Sequence, residues 1–407
     1  MKIRRSHSLA RLLGPAFIAA IAYVDPGNVA ANITAGARYG YLLVWVLVLA
    51  NLMAVAIQYQ SAKLGLVTGK SLPEMVGNAL PRWGRITYWI QAELVALATD
   101  IAEIIGGAIA LQLLFGFPLL WGGIITAAVS MVLLALQSRR SQTVFEFVIM
   151  GMLLMITCGF LAGLFIIPPA PDQVAAGLVP RFDGTDSVLV AAGMLGATVM
   201  PHAIYLHSSL VVHRHGADAH TTSRLPQLLK ATRWDVVLAL LVAGAVNIGL
   251  LLLAASALQG VPGTDDIGGA HAAIESTFGK AVGTIFALGL LASGLASTSV
   301  GAYAGSEIMK GLLRRRIPLL LRRLVTLVPA LLLLTFGINP TQALLLSQVV
   351  LSFGIPFALV PLVRMSGNRK LMGEYRDGAL LRIFSWTATA VIIALNIILL
   401  VLTIQGT

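Results

Sequence analysis

The chain is poor in charge and has almost no cysteine. Only 11% of its 407 residues are Asp, Glu, Lys or Arg, whereas a soluble domain carries about 25%. So little charge cannot coat a water-facing surface. That excludes the two or three soluble domains that the length alone would allow. The single Cys158 excludes an intrachain disulfide and has no partner thiol for a metal site; set in an apolar run, it reads as a small core residue. A paired-His metal motif, a nucleophile elbow and a phosphate loop are all missing. No loop is long enough to house a catalytic or signalling module, which argues against a membrane-embedded enzyme or metal sensor.

Apolar residues supply 57% of the chain, and the mean hydropathy is +0.88. They gather into eleven segments, at roughly 14–36, 41–62, 86–112, 119–138, 144–167, 188–212, 234–258, 281–305, 318–337, 341–363 and 381–404. Each is about 20 residues or more, which as a helix covers a hydrocarbon layer of about 30 Å. Only helices satisfy their own backbone within such a segment, so the spacing predicts an all-α integral membrane protein, one transmembrane unit over 1–407. The basic start, Met1-Lys2-Ile3-Arg4-Arg5, resembles a signal peptide. No small-residue cleavage site precedes Asp25-Pro26, so the first segment is expected to stay as a helix.

The net charge of +11 does not point to nucleic acid, because the basic residues sit in short clusters between apolar runs and not on one face. Alternating the eleven segments puts 25 of the 28 Lys and Arg on one side and leaves Arg38, Arg181 and Lys280 on the other. The excess marks the cytoplasm, so the N-terminus is expected inside and the C-terminus outside.

Two segments carry internal breaks. The first reads Ala22-Tyr23-Val24-Asp25-Pro26-Gly27-Asn28, and the sixth reads Gly196-Ala197-Thr198-Val199-Met200-Pro201-His202. Proline removes a backbone donor and clashes with the preceding turn, and glycine adds freedom. A simple kink with a paired acid would explain either one alone. A matched pair, in corresponding positions of two five-helix repeats (14–167 and 188–363, with 381–404 appended), is the sequence mark of a transporter's substrate site. An odd number of spans per repeat inverts the second against the first. Asp25 and Asn28 offer oxygens, Met200 offers a thioether, and unwound carbonyls near Ala22 and Ala197 add more oxygen. The sulfur favours transition ions over Mg²⁺ and Ca²⁺. A single carboxylate implies modest affinity and ready release, as a carrier needs.

The third segment carries Glu93, Asp100 and Glu103 within an arc of about 80° on one helix face. Acids inside a membrane are costly unless they face a polar interior. They read as a proton relay, or as structural ion pairs with Arg322 or Arg323. His202 and His207 titrate near neutrality in water and are candidates for the same pathway.

Asp25-Pro26-Gly27-Asn28 together with Met200-Pro201-His202 resembles the paired signature of the Nramp family of divalent-metal transporters. The resemblance runs over nearly the whole chain, through Trp89-Ile90-Gln91-Ala92-Glu93, Ala98-Thr99-Asp100-Ile101-Ala102-Glu103, Tyr205-Leu206-His207-Ser208, Leu291-Ala292-Ser293-Gly294-Leu295 and Leu345-Leu346-Ser347-Gln348-Val349. It is greatest to the bacterial proton-dependent manganese branch. It implies a LeuT-like fold, with ten helices in two inverted repeats and an eleventh outside them. It implies uptake of Mn²⁺ and Fe²⁺ with H⁺ across the bacterial inner membrane, with tolerance of Cd²⁺, Co²⁺ and Zn²⁺. Asp25, Asn28 and Met200 would bind the metal with the Ala22 and Ala197 carbonyls, and Gln348 would join on occlusion. Asp25 would accept the first proton, and Asp100, Glu103, His202 and Arg323 would lead it out, with Glu93 and His207 as further members.

Metal ions and protons are then cargo, and no cofactor, nucleic acid or obligatory protein partner is implied. An amino-acid or amine symporter of the same fold is the rival reading; a carboxylate and a thioether at the break argue against an anionic substrate.

Overall fold

The computed structural model describes residues 14–139, 142–219, 224–264, 266–314 and 319–405. Each of the eleven apolar segments is a helix or a pair of helices. The first is split into α1 (Pro15–Ile21), a 3-10 turn (Ala22–Val24) and α2 (Pro26–Tyr39). There follow α3 (Val44–Thr68), the short α4 (Leu72–Ala79), α5 (Arg82–Phe115), α6 (Leu119–Arg139), α7 (Gln142–Leu161) and the short α8 (Pro171–Gly177). The sixth segment is split into α9 (Gly184–Thr198) and α10 (Pro201–Ala219). The chain continues through α11 (Leu225–Ala257), α12 (Ile267–Phe278), α13 (Lys280–Leu313), α14 (Leu319–Thr335), α15 (Pro340–Ser366), α16 (Arg369–Met372) and α17 (Ala379–Gln405).

Among the described residues seven helical stretches are long and apolar enough to cross a membrane, and the α1–α2 pair makes an eighth. α6, α7 and α14 cover the remaining three segments. Lys2, Arg4, Arg5, Arg11, Arg140, Arg315 and Arg316 of the charge pattern lie outside the described residues.

The surface is what a lipid solvent requires. Leu94, Trp121, Leu154, Leu241, Val325 and Leu346 are exposed, while Asp25, Asn28, Glu103, Gln348 and Arg323 are fully buried. Cys158 is a correction: it is exposed and not in the core. Leu154, Met155 and Cys158 share the outward face of α7, whereas Ile156 and Phe160 turn inward. An apolar run with no polar face gives no periodicity from which to tell those sides apart.

The two breaks differ. α1 and α2 meet at 49°, whereas α9 and α10 bend by less than 40° and count as a single span. α5 and α13, 34 residues each and about 50 Å long, pack along one another; α11 lies against α2 and α3, and α15 against α5 and α9. The broken helices are wedged among these long ones. The start of α1 is tied down by Asp235 on α11, whose carboxylate accepts from the N–H groups of Gly14 and Ala16, both at 3.0 Å. It thereby satisfies donors that a helix N-terminus leaves open.

α5 reaches the first break only because residue 106 has no side chain: a Cβ there would run into the Pro26 ring. Gly106→Ala is therefore expected to lower stability in detergent by about 1–3 kcal/mol through overpacking. Gly151→Ala on α7, where a Cβ meets nothing within 4 Å, should leave it unchanged or raise it by up to about 1 kcal/mol. Paired thermal unfolding curves check the opposite signs.

Candidate functional site

Pro26 opens α2 without an N–H to give to the preceding turn. Asp25 before it is extended (φ −71°, ψ 166°) and becomes the N-cap. One of its carboxylate oxygens accepts from the Asn28 backbone N–H at 2.8 Å and from Asn28 Nδ2 at 2.7 Å. The Ala22–Val24 turn, tightened to 3-10 geometry, hands its carbonyls to side chains. Tyr23 O accepts from Asn247 Nδ2 at 2.6 Å, and Val24 O accepts from Ser293 Oγ at 2.5 Å. In the second break Val199 leaves helical geometry (φ −103°, ψ 74°), and Met200 sits in the gap before Pro201.

Asn28 joins the two breaks. Its Nδ2 donates to the Ala197 carbonyl at 2.9 Å as well as to Asp25. From α15, Gln348 Nε2 approaches the other Asp25 oxygen at 3.4 Å. Gly27 makes the room, since a Cβ there would strike the Gln348 amide. Met200 is fully buried, in the same core cluster as Ala22, Tyr23 and Val24. The structure thus gathers Asp25, Asn28, Ala197 and Gln348 into one contact set, with Met200 and Ala22 in the breaks beside it. The side-chain oxygens of Asn28 and Gln348 have no hydrogen-bond partner. Buried acceptors left open cost free energy. Among the described residues no group of three or more His, Cys, Asp or Glu side chains is placed to hold a metal, so this is a site of one carboxylate, two amides and backbone oxygen.

The acids on α5 form a second assembly. Arg323 of α14 forms an ion pair with Asp100 and lies 3.7 Å from Glu103, with all three buried. Glu93 is set apart, paired with Arg322 at 2.9 Å. Glu103 lies within electrostatic reach of Asp25, and His202 within that of Asp100; His202 Nδ1 has no hydrogen-bond partner. His207 belongs to a different chain of contacts. Its Nδ1 meets Gln58 Oε1 at 2.8 Å, and Gln58 Nε2 donates to the Tyr23 hydroxyl at 2.6 Å.

Sequence reasoning missed Tyr23, Gln58, Asn32, Asn247 and Ser293, which hold the first break in place. Asn32 Nδ2 donates to Asn247 Oδ1 at 2.8 Å. Two signals were present: Asn32 stands one turn after Asn28, and Asn247 is an amide deep in an apolar span.

A fully buried cluster of carboxylate, amide and carbonyl groups, where two helices of a LeuT-like fold are interrupted, marks a membrane transporter. The Nramp family model, described as natural resistance-associated macrophage protein-like, matches residues 16–402, and the chain belongs to that family. It is 56% identical over 395 residues to the divalent metal cation transporter MntH of Mycobacterium tuberculosis (strain CDC 1551 / Oshkosh), covering 97% of this chain and 92% of the relative. It is 46% identical over 402 residues to MntH of Bacillus subtilis (strain 168), covering 98% and 94%. A crystal structure of a mutant Eremococcus coleocola manganese transporter superposes with a TM-score of 0.88 at 30% identity, over 98% of this chain and 88% of that one. The nucleobase-cation symporter Mhp1 gives a TM-score of 0.58 at 17% identity, a likeness of fold alone.

Arg323 compensates two buried carboxylates. Arg323→Gln should cost about 3–5 kcal/mol of stability by leaving them unpaired, and Asp100→Asn added to it should recover part of that loss. Thermal unfolding of the two single variants and the double variant checks this; strictly additive losses would contradict the pairing.

Proposed function

We propose that the chain carries Mn²⁺, and with it Fe²⁺ and related divalent transition ions, into the cell together with protons by alternating access. One observation carries the reading: the Asn28 amide donates to both the Asp25 carboxylate and the Ala197 carbonyl, and the buried side-chain oxygens of Asn28 and Gln348 are unsatisfied. A donor held between acceptors from both breaks occupies a cation's place. Turning the Asn28 amide over exchanges Nδ2 for Oδ1, so that carboxylate, amide oxygen and carbonyl face one point. The Met200 thioether then biases the set toward softer ions than Ca²⁺ or Mg²⁺, and the Ala22 carbonyl and Gln348 complete it in different states.

Asp25 loses its proton as the metal binds, because a carboxylate ligates only when ionised. Glu103, Asp100, Arg323 and His202 offer the proton a route separate from the metal's, with Glu93 and His207 as outlying members. The cytoplasmic end of helix α1 swings to release the ion, so Asp235 must give up or carry with it the α1 N-terminus. With the N-terminus inside, an inward-negative potential assists both ions by roughly 2.3 kcal/mol per charge per 100 mV.

Asp25→Ala is expected to abolish Mn²⁺ uptake into proteoliposomes, and full activity in that variant would remove the site. Met200→Ala should admit Ca²⁺ or Mg²⁺ competition more than it lowers Mn²⁺ transport, as competition assays read directly; unchanged selectivity contradicts the role given to sulfur. Asp100→Asn or Glu103→Gln should uncouple or slow proton movement, followed by a pH dye inside the vesicles, while Mn²⁺ binding survives. Equal loss of binding would make the acids purely structural.

A further inference from the structure

At the cytoplasmic end of α10, thirteen residues and about 20 Å beyond Met200, a second group of ligating side chains is assembled. His213 Nε2 lies 3.7 Å from a Glu307 carboxylate oxygen on α13. The Lys310 ammonium sits against both, 3.4 Å from His213 Nε2 and 3.5 Å from Glu307. On the far side of the ring, His213 Nδ1 meets the Tyr303 hydroxyl at 3.1 Å. Glu307 is largely buried and His213 is open to solvent. α1, the element that swings on release, packs against both α10 and α13.

The pattern has a chemical logic. Lys310 has only protons to give, so His213 Nε2 faces it as an acceptor, and the ring's own proton sits on Nδ1 toward Tyr303. A histidine whose second nitrogen is fixed by an outer hydrogen bond, with its first nitrogen bare, is in the tautomer that binds metals. The bare nitrogen points with a carboxylate at a cation, and that cation is the protein's own lysine.

We propose that His213 and Glu307 form an exit subsite for a divalent transition cation, on which the departing ion transiently displaces Lys310. This rests on the metal-transport reading above. Two protein ligands leave the rest of the coordination shell to water, and Lys310 competes as a tethered cation, so the ion is held weakly and Lys310 returns to expel it. Mn²⁺, weakest of the first-row series for such donors, leaves most readily.

The test is Mn²⁺ binding to the purified full-length chain, read from the electron paramagnetic resonance signal of free Mn²⁺. Wild type should bind a central ion that Asp25→Ala loses; binding unaffected by that change overturns the transport reading without bearing on the subsite. In the Asp25→Ala background, Lys310→Gln should tighten the residual weak binding about fivefold, the worth of one partly exposed cation contact. Adding His213→Gln, or independently Glu307→Gln, should abolish it. A purely structural cluster gives no gain on loss of Lys310. Unchanged binding in Lys310→Gln, or gained binding that survives both ligand removals, overturns the proposal.

Discussion

A single side-chain amide holds two interrupted helices together. Within a bilayer every backbone polar group must find a partner inside the protein, and the prolines at 26 and 201 each free carbonyls near mid-span. The fold answers these one by one: Asn247 for Tyr23, Ser293 for Val24, and Asn28 for Ala197. The same Asn28 amide group also donates to Asp25. The side-chain oxygens of Asn28 and Gln348 are among the buried polar atoms this matching leaves without a partner. Turning the Asn28 amide would exchange its bonds to Asp25 and Ala197 for an oxygen facing the same point, while Asn247 and Ser293 keep their hold on the 3-10 turn.

Two polar assemblies approach the first break from different sides. On one, Asp100 and Glu103 share Arg323 between α5 and α14, with Glu103 close enough to feel the charge on Asp25. On the other, His207 reaches the Tyr23 hydroxyl through Gln58 on α3. The first carries ionisable groups of both signs. The second is neutral, a train of amide, ring and hydroxyl that positions the 3-10 turn. Keeping them apart lets the turn hold its shape while the charge on the acid side changes.

The apolar helices and the two breaks were legible in the sequence because each rests on a strong local cause. Proline cannot donate, twenty apolar residues span a hydrocarbon layer, and an acid in such a run needs a purpose. The partnership of α5 with α14 was half legible: Arg322 and Arg323 were visible as candidates, but their order on Glu93 and Asp100 depends on how the two helices pack. The partners of Asn247, Gln58 and Ser293 were not legible, since an uncharged polar residue in an apolar helix has many possible partners and only packing selects one. The unequal bends at the two breaks were hidden for the same reason. Cys158 was misplaced because a helix apolar on every side does not announce which side meets lipid.

The claim on which everything else stands is that both breaks bind one ion. Crystals grown with Mn²⁺ and measured for anomalous scattering address it directly. The account predicts one strong peak between Asp25, Asn28 and Met200, within bonding distance of a carboxylate oxygen and the thioether sulfur. A fully occupied ion elsewhere in the bundle, with Asn28 still bridging Asp25 and Ala197, would contradict it.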